Sequence, residues 1–156
     1  MNKLDEIRDK VLSDSELRSK IDEWAELKKS IVFTNGVFDI VHLGHIDYLS
    51  KAKDEGDILL VGVNSDHSAR KLGKGSSRPI NNESSRSTII AALQFVDAVI
   101  LFNEDTPYNL IKLVQPDILV KGSDYMPEKI VGYDIVMQKG GAIKTIDFLE
   151  GYSTTL

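Results

Sequence analysis

The stretch Ile31-Val-Phe-Thr-Asn-Gly-Val-Phe-Asp-Ile-Val-His-Leu-Gly-His45, called the signature below, decides the fold of this chain. Its first four residues are apolar or β-branched and predict a buried strand over residues 31–34. The Asn-Gly pair that follows tolerates positive φ and ends the strand. Beyond this turn, the spacing of His42 and His45 places both imidazoles on one face of a helix start. A helix N-terminus directly after a strand predicts a site for an anionic ligand.

The same segment has an ordinary structural interpretation. A strand, turn and helix are common in α/β proteins, and two histidines three residues apart are often incidental. Two of the three histidines of the chain lie here, however, and glycines at positions 36 and 44 remove side chains beside them. The complete string therefore favours a functional site over incidental histidines.

Size and composition limit the class of protein. With 156 residues, 42% of them hydrophobic, the chain can form one domain plus a short extension. The net charge of −5 offers no general attraction for nucleic acid. No apolar run reaches the ~18 residues that span a membrane, and the N-terminus has no apolar region of a signal peptide. Cysteine is absent, which excludes disulfides and thiolate metal sites. We therefore expect a cytoplasmic protein that binds neither nucleic acid nor membrane.

Residues 1–30 are predicted to form an N-terminal helical extension ahead of a main domain that covers residues 31–156. Their charges nearly cancel, with seven basic and eight acidic residues, which argues against an arm that binds anions. Two apolar stripes at helical spacing predict two amphipathic helices. The first stripe consists of Leu4, Ile7, Val11 and Leu12, and the second of Leu17, Ile21, Trp24, Ala25 and Leu27. Packing against the main domain is favoured for both helices; a subunit contact, and with it a homodimer, is the alternative.

The rest of the chain alternates between strand patterns and helical patterns. Four further strands are predicted, at residues 58–63, 98–102, 118–121 and 142–146. This alternation is typical of an α/β fold with a Rossmann-like, doubly wound parallel sheet, here of about five strands. Because ligands of such sheets bind at the carboxyl ends of the strands, we expect the polar segments that follow the strands to converge on one edge.

A positive local charge distinguishes residues 66–86. Two acidic residues and five basic ones (Arg70, Lys71, Lys74, Arg78 and Arg86) give this segment a net charge of +3. Glycine, serine and proline predict a mobile loop over residues 72–81. Beside a histidine site, the loop would close on phosphates; an exposed polar loop without function is the alternative.

Two later segments are weak signals by themselves. Lys121-Gly-Ser-Asp-Tyr125 ends a strand, where Asp and Gly are common for reasons of turn geometry. Gly151-Tyr-Ser-Thr-Thr155 offers hydroxyls and amides for phosphate, but a frayed C-terminus has the same composition. Neither a Walker A string nor a Gly-x-Gly-x-x-Gly after the first strand is present. A P-loop hydrolase and a dinucleotide oxidoreductase are therefore disfavoured.

In combination, these segments resemble the cytidylyltransferase-like nucleotidyltransferases, whose signature is Gly-x-Phe-Asp-x-x-His-x-Gly-His. From about residue 31 to residue 155, the chain is similar to the heptose 1-phosphate adenylyltransferases of ADP-heptose and lipopolysaccharide synthesis, here without a fused kinase. The resemblance rests on residues 33–45, 61–66, 78–81, 86, 120–125 and 150–155. Several motifs in the right order are more specific than any one of them.

The resemblance implies a role for each matching residue. The catalytic residues would be His42, His45 and Lys74. The nucleotide-binding residues would be Thr34, Asn35, Gly36, Phe38, Asp39, Gly44, Arg86, Lys121, Gly122, Asp124, Tyr125, Gly151, Tyr152, Ser153, Thr154 and Thr155. The residues that bind the second substrate would be Asn64, Asp66 and Arg78. No metal site of the protein itself is implied, and Mg²⁺ would arrive with ATP. For Asp39, orienting the site and a purely structural capping role are equally favoured.

The implied reaction joins ATP and D-glycero-β-D-manno-heptose 1-phosphate and releases pyrophosphate. A sugar phosphate is already an anion, so catalysis needs alignment and charge stabilisation rather than a general base. The first alternative is a CTP-dependent enzyme acting on glycerol 3-phosphate or another alcohol phosphate. Those enzymes carry an arginine where this chain has Phe148, which disfavours them. The second alternative is a nucleotide-binding module without catalysis, which the intact histidines disfavour.

Overall fold

The computed structural model describes residues 1–73 and 79–151 of the chain. Its strands are β1 (Val11–Leu12), β2 (Ile31–Gly36), β3 (Ile58–Asn64), β4 (Ala98–Phe102), β5 (Ile118–Gly122) and β6 (Ala142–Ile146). Its α-helices are α1 (Lys3–Arg8), α2 (Asp14–Glu26), α3 (Leu43–Lys53), α4 (Asp66–Arg70), α5 (Glu83–Ala91), α6 (Tyr108–Val114) and α7 (Tyr133–Lys139), and a 3₁₀ turn covers Pro127–Lys129. The expected mobility of the loop over residues 72–81 concerns mainly residues 74–78, which lie outside the described part.

All six strands pair in parallel within one sheet, in the order β1-β4-β3-β2-β5-β6. Helices cover both faces, since one buried cluster joins the sheet to α2, α6 and α7 and a second joins it to α3 and α5. The predicted doubly wound Rossmann-like sheet is therefore confirmed, with all five predicted strands in place.

The sixth strand is a correction to the sequence analysis. Val11 and Leu12 were assigned to a helical stripe, but α1 ends at Arg8 and these two residues form β1. They pair with Val99 and Ile100 of β4 at the edge of the sheet. A two-residue strand is too short to show a period of two, so its apolar pair also fits a helix.

The N-terminal segment packs on the sheet, as the favoured interpretation of its stripes expected. Leu17 and Trp24 of α2 are buried in the cluster that contains α6 and α7. The Lys10 ammonium donates to the carbonyls of Ala91 and Leu93 at the end of α5, at 3.1 and 3.3 Å, where a helix favours cations. The division into an extension and a main domain at residue 30 stays a prediction, as does the subunit contact.

The sheet changes winding direction between β2 and β5, and the two strands separate there. β2 pairs with β3 along its whole length, from Ile31 to Gly36, but with β5 only at Val32 and Phe33. Beyond Phe33 a crevice therefore opens between the carboxyl ends of β2 and β5, at the point where parallel sheets bind ligands. No helix in the described ranges is long and apolar enough to cross a membrane.

Candidate active site

The two histidines are locked to the backbone at the start of α3. His42 is the N-cap residue, and its Nδ1 accepts a hydrogen bond from the Gly44 amide at 3.1 Å. His45 lies three residues later, and its Nδ1 accepts from the His42 amide, also at 3.1 Å. This is the geometry of a capping box, built here from two imidazoles. Gly44, which lies between the two histidines in the sequence, is buried in the first turn of α3.

These hydrogen bonds determine which nitrogen of each ring carries the proton. Because both Nδ1 atoms accept, the neutral imidazoles carry their proton on Nε2, where it can be donated to a phosphate oxygen. The ring centroids are 4.1 Å apart. Burial, with a smaller contribution from the neighbouring His42, lowers the pKa of His45 to about 4. His45 is therefore a neutral donor at pH 7 until an anion binds beside it.

Phe38 shapes the turn between β2 and α3. It is one of the few residues other than glycine with positive φ, 53°, and its ring meets the His45 ring edge-on at 5.8 Å. A Cβ atom at Gly36 would lie 3.0 Å from the Phe38 ring, so glycine at that position keeps the turn compact. Gly36 and Phe38 thus shape the histidine turn.

Asp39 connects the signature to residues 80 and 81. Its carboxylate accepts hydrogen bonds from the backbone amides of Ile80 and Asn81, at 2.8 and 2.9 Å. The Asn81 side chain in turn donates to the Asp39 carbonyl at 2.6 Å. The described hydrogen bonds of Asp39 thus connect the signature to residues 80 and 81.

Arg86 is fully buried, although the resemblance implies that it binds nucleotide. Its guanidinium donates to the backbone carbonyls of Val37, Asn64 and Asn81. The remaining described contact is an ion pair with Asp66 at 2.8 Å. Of the residues expected to bind the second substrate, Asp66 is therefore paired with Arg86, and buried Asn64 donates through its amide to the Ser68 hydroxyl.

Two polar groups flank the crevice between β2 and β5. Within residues 1–73 and 79–151, the Asn35 Oδ1 atom is buried without a hydrogen-bond partner. On β5, Lys121 is half-buried and forms no ion pair with any described residue; its ammonium lies 5.8 Å from the Tyr125 ring centre. Burial lowers the pKa of Lys121 to about 8, against the opposing effect of the Asp124 carboxylate. Within the described part of the chain, an acceptor without a hydrogen-bond donor and a cation without an ion pair suit a ligand that brings a donor and an anion.

Tyr48 and Phe148 are neighbours that the sequence analysis did not connect. Their rings stack at 5.7 Å, and the Tyr48 hydroxyl shares a 2.9 Å hydrogen bond with Thr34 on β2. Burial raises the pKa of Tyr48 to about 12. A Cβ atom at Gly122 would lie 2.4 Å from the Phe148 ring, so this stack requires glycine at the end of β5. No local pattern in the sequence predicts the contact between Tyr48 and Phe148.

The structure thus brings most predicted residues to one edge of the sheet. Thr34, Asn35 and Gly36 end β2, and Phe38, Asp39, His42, Gly44 and His45 follow it. Lys121 and Gly122 end β5, and Asp124 and Tyr125 follow it. Gly151 is described, with a φ of 86°. Lys74, Arg78, Tyr152, Ser153, Thr154 and Thr155 lie outside the described residues, so their roles stay predictions. Across the described ranges, no three histidine or carboxylate side chains are grouped to hold a metal ion.

Comparison with known proteins adds an independent result. A family model described as Cytidylyltransferase-like matches residues 33–149, which include residues 33–45 of the signature and the segment 118–125 on the other side of the crevice. A bifunctional protein HldE of Nitratiruptor sp. is 58% identical over 127 residues, covering 81% of this chain and 26% of that protein. A bifunctional protein HldE of Campylobacter jejuni subsp. doylei is 52% identical over 156 residues, covering 97% and 33%. The chain therefore spans about a quarter to a third of the length of these relatives.

Two solved structures have a similar fold. The lipopolysaccharide core biosynthesis protein of Thermoplasma volcanium has a TM-score of 0.63 and 36% identity, with 80% of this chain and 99% of that chain covered. The pantoate-beta-alanine ligase of Francisella tularensis, crystallised with an ATP analogue and beta-alanine, also has a TM-score of 0.63. Its identity is only 17%, over 88% of this chain and 66% of that one, so it supports the fold alone.

Proposed function

Because the chain belongs to the cytidylyltransferase-like family, as its signature predicted, we propose that it is a sugar-phosphate adenylyltransferase. Its substrates are ATP and D-glycero-β-D-manno-heptose 1-phosphate, and its products are ADP-heptose and pyrophosphate. One observation carries the catalytic part: two histidines with backbone-held Nδ1 atoms lie at the start of α3, beside the winding change of the sheet. The high identity to HldE proteins supports the sugar part, and the name of the Thermoplasma protein supports a role in lipopolysaccharide core synthesis.

The chemistry needs no covalent intermediate on the protein. A phosphate oxygen of the sugar 1-phosphate attacks the α-phosphorus of ATP, and the bond from that phosphorus to pyrophosphate breaks. Negative charge shifts toward the leaving pyrophosphate, which preorganised donors stabilise more strongly than solvent does. His42 and His45 donate from Nε2 to these phosphate oxygens, and the helix start adds its amides and dipole.

The crevice holds the reacting ends of the two substrates. Lys121 neutralises phosphate charge from the β5 side, opposite the histidines that follow β2. The Asn35 amide oxygen accepts a hydrogen bond from the nucleotide, which satisfies a buried atom that has no hydrogen-bond partner among the described residues. Together these groups would align the two anions, which is the larger part of catalysis when the nucleophile is already charged.

Mg²⁺ belongs to this proposal as a companion of ATP. It would be bound mainly through phosphate oxygens. When bound, the ion neutralises triphosphate charge. A cytoplasmic location and a homodimer remain predictions that accompany the function.

The decisive experiment is a substrate screen with pyrophosphate release as the readout. Four nucleoside triphosphates are each combined with a panel of sugar 1-phosphates and with glycerol 3-phosphate. We expect ATP with heptose 1-phosphate to exceed CTP with glycerol 3-phosphate by ~10² in kcat/KM, about 2.7 kcal/mol. The apolar Phe148 ring, which cannot grip phosphate as arginine does, supports this preference.

Each other outcome of the screen selects an alternative. Comparable kcat/KM values for the two pairs, or a higher value for the CTP pair, would overturn the proposed substrates and leave nucleotidyl transfer standing. Nucleotide binding without pyrophosphate release from any pair would instead indicate a non-catalytic module.

A further inference from the structure

The Arg86 side chain forms four hydrogen bonds with three other segments of the chain from a fully buried position. Its Nε donates to the Asn81 carbonyl at 2.9 Å. Its Nη1 donates to the carbonyls of Val37 and Asn64, at 2.8 and 2.7 Å, and its Nη2 donates to the Asp66 carboxylate at 2.8 Å. Four of the five guanidinium N–H groups are thereby directed at protein acceptors. A nucleotide could engage more than the fifth N–H group of this arginine only by breaking some of these bonds.

Asn81 extends the same network to the signature. Its carbonyl accepts from Arg86, its side-chain amide donates to the Asp39 carbonyl, and its backbone amide donates to the Asp39 carboxylate. Arg86 meanwhile holds the Val37 carbonyl. Val37 and Asp39, on either side of Phe38, are therefore hydrogen-bonded to Arg86 and Asn81, at the start of α5.

Phe38, which lies between Val37 and Asp39, has a backbone conformation that is energetically unfavourable. Phe38 has a φ of 53°, a region that a bulky residue occupies only when its surroundings enforce it. Its ring packs edge-on against His45 at 5.8 Å. Any relaxation of residues 37–39 would therefore change the packing and burial of one of the two histidines.

We infer that Arg86 and Asn81 are positioning residues, which hold residues 37–39 so that Phe38 fixes the His45 ring in its reactive orientation. This inference rests on the proposed function for its kinetic consequences but not for its structural ones. It replaces direct nucleotide binding as the role of Arg86. The signature ends up oriented by side chains that lie more than 40 residues later in the sequence.

Asn81→Ala is the first test, with Asn82→Ala as the matched control. The Asn82 side chain caps α5 through the Ser85 amide and makes no described contact with the signature. Because a misplacement of about 1 Å can cost ~10² in rate, we expect Asn81→Ala to lower kcat at least about tenfold, with KM for ATP changed less than about threefold. Asn82→Ala should keep kcat within about twofold, although it weakens the helix cap.

The pKa of His45, measured by NMR titration of the ligand-free protein, is a second readout that does not require turnover. Burial holds this pKa at about 4, so loosening Phe38 should raise it toward the ordinary value of 6.5 in Asn81→Ala but not in Asn82→Ala. If the intact protein transferred no nucleotide to any acceptor, the proposed function would fail while this titration still decided the positioning role.

Arg86→Lys separates positioning from binding, because lysine keeps the charge but cannot reproduce the planar fork. A folded Arg86→Lys protein should show the same loss of kcat and the same rise in the pKa of His45. A large increase in KM for ATP with unchanged kcat would instead make Arg86 a binding residue and overturn the inference. Should this variant not fold, Asn81→Ala decides: unchanged kcat and an unchanged pKa of His45 would refute the positioning role.

Discussion

The two ends of the parallel sheet differ in how completely their polar groups are satisfied. At the amino end, an open cavity of about 410 Å³ is bordered by Lys28, Lys29, Asp117 and Lys139. The Asp117 carboxylate there accepts from the Ile31 amide at 2.8 Å and pairs with Lys139 at 3.1 Å. Lys139 also donates to the Gln115 carbonyl. Two of the charged groups that border this cavity, Asp117 and Lys139, therefore have protein partners.

The carboxyl end has the opposite character. The Asn35 amide oxygen is buried without a partner in the described ranges, and Lys121 is half-buried without an ion pair there. Leaving such groups unsatisfied costs stability, so their retention indicates that a ligand completes them. Buried groups that lack a hydrogen bond or an ion pair therefore locate the candidate site better than the volume of a cavity does.

The largest effect expected from this contrast is on turnover. His42→Ala or His45→Ala should lower kcat by ~10² or more, because each removes a donor to the charge that develops in the transition state. Lys29→Ala, at the amino-end cavity, should leave kcat unchanged. Steady-state pyrophosphate release measures both, with circular dichroism to confirm folding. Near-normal turnover in a folded histidine variant would show that the carboxyl end of the sheet does not hold the catalytic histidines.

The next effect concerns Lys121 and pH. Its pKa of about 8 means that the ammonium loses its proton as the pH rises above that value, and an anionic substrate then binds more weakly. We expect KM to rise above about pH 8 in the native protein. Lys121→Arg should remove this rise, because arginine stays charged, while Lys121→Ala should raise KM at all pH values. A KM that stays flat from pH 7 to 9 in the native protein would remove Lys121 from the site.

A smaller effect concerns stability in mild acid. The pKa of His45 is about 4 in the folded protein and 6.5 for an ordinary imidazole. Between these values the unfolded chain binds more protons, so the free energy of unfolding is at its full value above pH 6.5 and falls as the pH drops toward 4. His45→Gln should flatten this decline and keep the helix cap, since glutamine also serves at the third helical position. Urea unfolding at several pH values tests this; an equal decline in both proteins would show that His45 is not responsible.

The smallest effect is expected at the amino end. Lys139→Met removes the ion pair between Lys139 and Asp117. Both side chains of this pair are about one-third exposed. Such pairs contribute at most about 1 kcal/mol, so the free energy of unfolding should change little. kcat and both KM values should equal those of the native protein. A clear loss of activity would show that the two ends are coupled.

Much of the candidate site was readable from local patterns. The signature predicted β2, the turn at Gly36 and the start of α3, because strand propensity, turn chemistry and helix spacing act over a few residues. Its motif predicted the family, which the comparison confirmed. The roles of Arg86, Asn81 and Tyr48 had no such signal, since each depends on partners elsewhere in the chain: Val37 lies 49 residues before Arg86, and Asp39 lies 42 residues before Asn81.

The sequence by itself therefore determined the alternating elements, the five longer strands and the place of the histidines after the first of those strands. Only the tertiary structure decided that Val11–Leu12 adds a sixth strand, that β2 and β5 separate beyond Phe33, and that Arg86 is buried among carbonyls. The low pKa of His45 is likewise a tertiary property. Hydrophobic periodicity depends only on residues that are close in the sequence. Burial, hydrogen-bond partners and pKa values depend on which distant segments the fold brings together.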